Sequence, residues 1–338
     1  FEELNILNPN LSWSPDGSKI TLSSKSKGAD NLAIVDYETG KVRMIAFPEL
    51  DAIGSVAWAP DGDKIAFDGS VGPFQDIFVY NLQTQEFRNL TNDVISDYEP
   101  SWSQDSKTVY FTSGRGDNVR LNTLKDNTKL LAEDFMYTTD IYSVTIGDNR
   151  AERLTKTPGW DEYQSATTRE GNLIFISDQN GIPNVYELNL EDRTTRPLTN
   201  LQTGVLQMSI SSDGSRLAVN SINEGYLDIF LVRSPFMRDV GQQLNPNHWA
   251  ERRANSSQSD LVPAVGYVQQ MLATPGKTTI STSQPAQATG IANADDGAVA
   301  AAQPDTVETD TTTQQDEEGG IDFRNYVFAS EVEEDTVF

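Results

Sequence analysis

Cysteine is absent from the 338 residues, which excludes disulfides, cysteine-ligated zinc and thiol catalysis. Histidine occurs once, as His248, so a His-Glu-x-x-His zinc site cannot be assembled. No Gly-x-Ser-x-Gly elbow presents a nucleophile, and no Gly-rich phosphate loop leads from a strand into a helix. No cofactor, metal or catalytic residue is therefore expected, and a lone histidine outside the repeats described below reads as a surface or packing residue. Cations are scarce too: 25 Lys and Arg stand against 50 Asp and Glu, a formal net charge of -25. That balance repels phosphates, so nucleic acid is not an expected partner. No run approaches the ~20 apolar residues of a membrane-spanning helix, and no membrane insertion is expected within this chain. The first residue is Phe1 rather than Met, and the chain is read as a fragment or a processed product.

A repeat is what the sequence does contain. Ser12-Trp13-Ser14-Pro15-Asp16-Gly17, Ala57-Trp58-Ala59-Pro60-Asp61-Gly62 and Ser101-Trp102-Ser103-Gln104-Asp105-Ser106 place tryptophans 45 and 44 residues apart. Weaker copies put Ala166 and Ile210 in the tryptophan slot. After each turn comes a strand-like run, then a second one opened by Asn31, Asp76, Asp140, Asn184 or Asp228, and the unit closes in Leu90-Thr91, Leu154-Thr155 or Leu198-Thr199. These runs are short, β-branched and aromatic, punctuated by turn residues. A four-stranded unit of this period that cannot bury both faces alone is a β-propeller blade. In the Pro-Asp-Gly turn, Pro sets φ, Asp bonds back to the local backbone and Gly takes positive φ. The tryptophans belong on the inner strands as core between sheets, and the recurring Asp/Asn slot is read as loop capping rather than a ring of ligands.

The Ser-Trp-Ser-Pro-Asp-Gly-Ser-Lys-Ile repeat, the Phe111-Thr112-Ser113-Gly114-Arg115-Gly116 loop, Asp140-Ile141-Tyr142 and Arg153-Leu154-Thr155 resemble the TolB-like propeller repeat of bacterial envelope proteins. The resemblance covers residues 1–236. It implies an all-β propeller, of which five four-stranded blades are visible here, and a periplasmic or cell-envelope location. Such propellers usually have six blades, so at least one more is expected upstream in the parent. The same repeats occur in tricorn-type and prolyl-peptidase propellers, and members of this layout can continue into an outer-membrane barrel.

Residues 117–138 form an insertion in the third unit, with Leu121, Leu124, Leu130, Leu131 and Phe135 as one face of a short helix. The embedded Arg115-Gly116-Asp117 is read as an ordinary loop of the repeat, not an adhesion motif. Residues 237–282 read as a linker with short helices such as Leu261 to Ala273. Residues 283–320 are poor in large apolar side chains and read as a disordered acidic segment. Residues 321–338, beginning Ile321 to Ala329, alternate enough to be a strand or docking segment.

The candidate site follows from the blade geometry. Asp97 and Glu99, then Asp161 and Glu162, occupy matching loops leading into the third and fourth blades, beside Tyr98, Trp160 and Tyr163. Such connections gather on one rim of the channel. Carboxylates there could face a protein or peptide partner, hold a cation, or serve glycoside or lyase chemistry, which needs a defined separation and one raised pKa. The reading adopted is a non-enzymatic protein- or peptide-binding module. The alternatives are the non-catalytic propeller of a larger peptidase or sugar-acting hydrolase whose catalytic domain lies outside this chain, and a structural spacer.

Overall fold

The computed structural model describes residues 3–4, 11–26, 28–123 and 138–255. Within them, five antiparallel sheets follow one another along the chain. In the first blade, β1 (Glu3–Leu4) and β2 (Leu11–Trp13) both pair with β3 (Lys19–Ser26), which is followed by β4 (Ala29–Asp36) and β5 (Val42–Ala46). The second blade is β6 (Ala52–Trp58), β7 (Lys64–Val71), β8 (Phe74–Asn81) and β9 (Phe87–Asn89). The third is β10 (Asp97–Trp102), β11 (Thr108–Ser113), β12 (Asp140–Thr145) and β13 (Glu152–Arg153). The fourth is β14 (Glu162–Thr167), β15 (Leu173–Ser177), β16 (Asn184–Leu188) and β17 (Thr195–Pro197). The fifth is β18 (Gln207–Ile210), β19 (Arg216–Asn223) and β20 (Tyr226–Arg233), with no fourth strand among the described residues.

The turn that joins the first full strand of a blade to the next has the chemistry expected of it. Ser14 Oγ donates to Asp16 Oδ1 at 2.6 Å, Gly17 N to Ser14 O at 2.9 Å, and Gly17 sits at φ 71°. Ser103 with Asp105 and Ser211 with Asp213 repeat the side-chain bond at 2.6 Å. In the third copy Ser106 adopts φ 56° where the others have glycine.

The Leu-Thr close and the Asp/Asn slot prove to be one device. Thr91 Oγ1 accepts from Ile77 N and donates to Asp76 Oδ1. Thr199 Oγ1 does the same with Val185 N and Asn184 Oδ1, and Thr155 Oγ1 accepts from Ile141 N. The hydroxyl fastens the outer edge of a blade to the start of its third strand, so every polar group there is satisfied as burial demands.

Cores form between blades, as the repeat requires. Leu32 and Ile34 of the first blade meet Ile65, Phe67, Phe78 and Tyr80 of the second. Ile77 and Val79 of the second meet Trp102, Phe111 and Tyr142 of the third. Ile141 and Leu154 meet Phe175 and Tyr186, and Ile176 and Val185 meet Leu217 and Val219.

The tryptophans are not uniform core. Trp102 is 3% exposed and its Nε1 donates across to Ala57 O of the preceding blade at 3.0 Å. Trp58 is half-buried and bonds Gly62 O of its own turn, while Trp13 is 47% exposed. Burial of this ring depends on a preceding sheet, and Trp13 has none among the described residues.

Two assignments shift. Trp102 pairs with Val109, two residues before Phe111, whereas Leu173, two before Phe175, pairs with Thr167. Thr167, not Ala166, therefore holds the tryptophan slot of the fourth blade. After the fifth blade the chain forms α1 (His248–Asn255), inside the stretch read as a linker. Asn247 ties it to the fourth blade by donating to Gly181 O at 2.9 Å and accepting from Ala250 N. Of the insertion, Leu121 is buried against the third blade and is not helical; residues 124–137 lie outside the described residues. So do Leu261 to Ala273, 283–320 and 321–338.

Candidate functional site

The rim where inner strands begin carries the predicted residues, and the structure divides them into buried and accessible groups. Asp97 is fully buried and paired with Arg115, whose guanidinium also bonds Asp93 Oδ2 at 3.1 Å. Arg115 lies over the rings of Phe111 and Tyr142 at 5.4 and 5.9 Å. Burial opposes its charge, and Asp97 and Asp93 more than offset that, so its pKa is raised. Asp93 is pushed up to about 6 by burial, against the pull of Arg115. Being fully buried, Arg115 cannot be offered to an adhesion receptor.

Asp76, Asp93 and Asp97 form the one group of three carboxylates, among the described residues, close enough to share a metal ion. Arg115 already supplies a cation to two of them and Asn89 and Thr91 bond the third. This arrangement is that of a buried ion-pair network, whose loss of one partner is costly.

Glu99 is committed in another way. Its backbone takes φ 53° and its N–H donates to Asp68 of the second blade, while its Oε2 accepts from Gln164 N of the fourth at 2.9 Å. Gln164, at φ 49°, repeats the move, its Oε1 accepting from Met208 N of the fifth blade. These left-handed residues sit at register shifts in β10 and β14, and each bulge turns a side chain to the next blade. Glu162 pairs with Ser177 as Asp97 pairs with Ser113, so the match is Asp97 with Glu162 and Glu99 with Gln164. The sequence pairing with Asp161 and Glu162 ran one residue early.

Glu162 is 1% exposed and its Oε2 has no hydrogen-bond partner. Burial, with Asp140 beside it, pushes it up to about 8. Where the third blade has Arg115, the fourth has Gln179, so the guanidinium is missing. Arg153 compensates only Asp140, at 2.6 Å, while also reaching Asp117.

What remains accessible is aromatic. Tyr98 is 37% exposed. Trp160 meets Trp249 of α1 edge-on at 5.5 Å, and Arg253 lies 4.9 Å from the first ring and 5.2 Å from the second. Tyr163 is half-buried with its hydroxyl toward Val205 O, and Asp161 accepts from Thr139 N at 2.8 Å. Trp249 and Arg253 were not singled out in the sequence, because only the return of the chain across the fourth blade brings α1 to this rim. His248 is exposed on the same helix.

The family model described as the TolB beta propeller domain matches residues 3–128. The fold is a TolB-type β-propeller. TolB from Acinetobacter baumannii is similar at 20% identity and a TM-score of 0.52, covering 67% of this chain and 51% of its own. This chain thus spans about half of that protein's length. The putative TolB from Agrobacterium tumefaciens is similar at 18% identity and a TM-score of 0.54, covering 67% of this chain and 77% of its own. The tricorn protease matches at 17% identity and a TM-score of 0.48, covering 70% and 26%. Comparison with curated proteins finds no match. Among the described residues no helix is long and apolar enough to cross a membrane.

Proposed function

We propose that this chain is a non-enzymatic, protein- or peptide-binding TolB-like propeller of the bacterial cell envelope, which receives an extended segment on the rim where the inner strands begin. The observation that carries the reading is the accessible aromatic set there, Tyr98, Trp160 and Trp249, flanked by Asp161 and Arg253. Rigid aromatics on a fixed scaffold give contact area at little entropic cost. The buried carboxylates Asp97 and Glu162 and the half-buried Glu99 act beneath this surface, holding the segments that present it, and Tyr163 packs beside them. The envelope location rests on the TolB resemblance.

A photo-reactive residue in place of Tyr98 tests the reading, with one in place of the exposed Asp192 at the other end of the fourth blade as control. In an envelope extract of the source cells, a discrete protein adduct is expected from the Tyr98 position alone and is lost with Trp160→Ala. Equal adducts from both positions, or none, would remove the proposal.

A further inference from the structure

At the end of the propeller opposite that rim, the first two blades leave a cleft of about 590 Å³ between their Asp-Gly turns. Trp58 lines it, with Ile34, Val42 and Leu82 as other apolar walls and Lys19, Lys41 and Arg43 as cations. The corresponding space between the second and third blades is filled. There Trp102 is buried, Lys64 lies 5.9 Å from its ring, and Asp61 neutralises Lys64.

The first turn differs from the second in two residues, of which one is Ser14 in place of Ala59. Ser18 stands where the second has Asp63, and Ser14 and Ser18 together occupy the Asp16 carboxylate at 2.6 to 3.0 Å. Those bonds hold Asp16 down at about 2. Lys19, the counterpart of Lys64, donates only to Ser18 Oγ at 3.0 Å. Asp36 is likewise taken, by Thr39 N at 2.8 Å and Thr39 Oγ1 at 2.7 Å. Among the described residues no carboxylate pairs with Lys19, Lys41 or Arg43. These three cations lie beside a half-buried indole and offset the carboxylates of Asp16, Asp36 and Asp61, so that in a chain of net charge -25 this concave, partly apolar site is locally neutral.

We propose that this cleft binds a carboxylate carried on an apolar, ring-bearing body, with Lys41 and Arg43 taking the carboxylate and Trp58 taking the ring. A carboxylate suits it better than a phosphate. Asp16, Asp36 and Asp61 line the same cleft, so the net attraction to any anion is modest, while the cost of stripping water from a dianion rises with the square of its charge. The carboxyl terminus of a peptide ending in an aromatic residue and a small aromatic acid share this chemistry.

Calorimetric titration of the full chain with N-acetyl-phenylalanine, its amide and phenyl phosphate provides the test. The acid is expected to bind at least about tenfold more tightly than the amide, as a charge-assisted contact requires. Lys41→Gln with Arg43→Gln, both exposed positions, is expected to remove that preference without moving the thermal midpoint. The peptide Ala-Ala-Ala-Phe, binding more tightly than the acetylated amino acid, identifies a peptide terminus; equal or weaker binding identifies a small acid. Absence of binding, equal affinity for acid and amide, tighter binding of phenyl phosphate, or no effect of the double substitution each overturns the proposal.

Discussion

Asp76-Ile77-Phe78-Val79-Tyr80 in β8 and Asp228-Ile229-Phe230-Leu231-Val232 in β20 are nearly the same word in two blades. Ile77, Phe78 and Val79 are 0, 3 and 6% exposed, whereas Ile229, Phe230 and Leu231 are 77, 38 and 53% exposed. Asp76 sits in a buried network with Thr91, Asn89 and Asp93, and Asp228 bonds only Asn223. The strands have the same alternation and local propensity. The difference lies in what covers them: β8 has a fourth strand and a following blade, and neither is found after β20 among the described residues. In a repeat fold, burial belongs to the interface between units and not to the unit.

The largest break in the comparison comes from the interface that follows β8. Arg115→Met leaves Asp93 and Asp97 buried without a cation and is expected to cost about 3–5 kcal/mol in urea unfolding. A loss within experimental error would mean that the network does not lock these blades together. Next, Ile77→Ala is expected to cost about 2–4 kcal/mol through the cavity it leaves. Ile229→Ala is expected to change stability by under about 0.5 kcal/mol. Equal losses from the two isoleucines would show that β20 is covered in solution.

The interface between the third and fourth blades is an intermediate case, with a buried acid but no buried arginine. Glu162 has its pKa raised to about 8 in the folded protein, so folding favours its neutral form. That contribution is complete at pH values below the ordinary carboxylate range and is lost as pH rises through about 8. Stability is therefore expected to decline between about pH 5 and 8, and Glu162→Gln is expected to flatten the decline in thermal midpoints across that range. An unchanged slope would assign the pH dependence to Asp68 or Asp93, both pushed up to about 6 by burial. The smallest effect is expected from Asp228→Asn, under about 0.5 kcal/mol by thermal unfolding, because its slot closes no network.

Much of the fold was legible because its signals are local. The Ser-Pro-Asp-Gly turn closes within four residues, so pattern reveals it; the Asp76 slot and the Leu90-Thr91 close recur just as visibly, but their union through the Thr91 hydroxyl is a finding of the structure. Blade pairing failed only at the fourth blade, where the turn from Thr167 to Leu173 is one residue shorter than that from Trp102 to Val109, which exchanged Ala166 for Thr167 and Asp161 for Glu162. The bulge that β10 and β14 share went unseen for another reason: no glycine marks it, because Glu99 and Gln164 take the positive φ. The candidate residues were read as loop residues that could face a partner, but Asp97, Tyr98, Glu99, Glu162 and Tyr163 lie in β10 and β14, and Asp97 and Glu162 are buried. Whether an aspartate faces water or an arginine is set by residues 18 to 22 positions away, as Asp97 and Arg115 or Asp93 and Arg115 show.

The sequence by itself determined the unit: four short strands, a capped turn and a threonine clasp, each fixed by contacts within some forty residues. The tertiary structure alone decided which copies of that unit are core and which are surface. Identical side chains gain from burial only where a neighbouring sheet removes them from water, and that depends on how blades are stacked rather than on what any blade is made of.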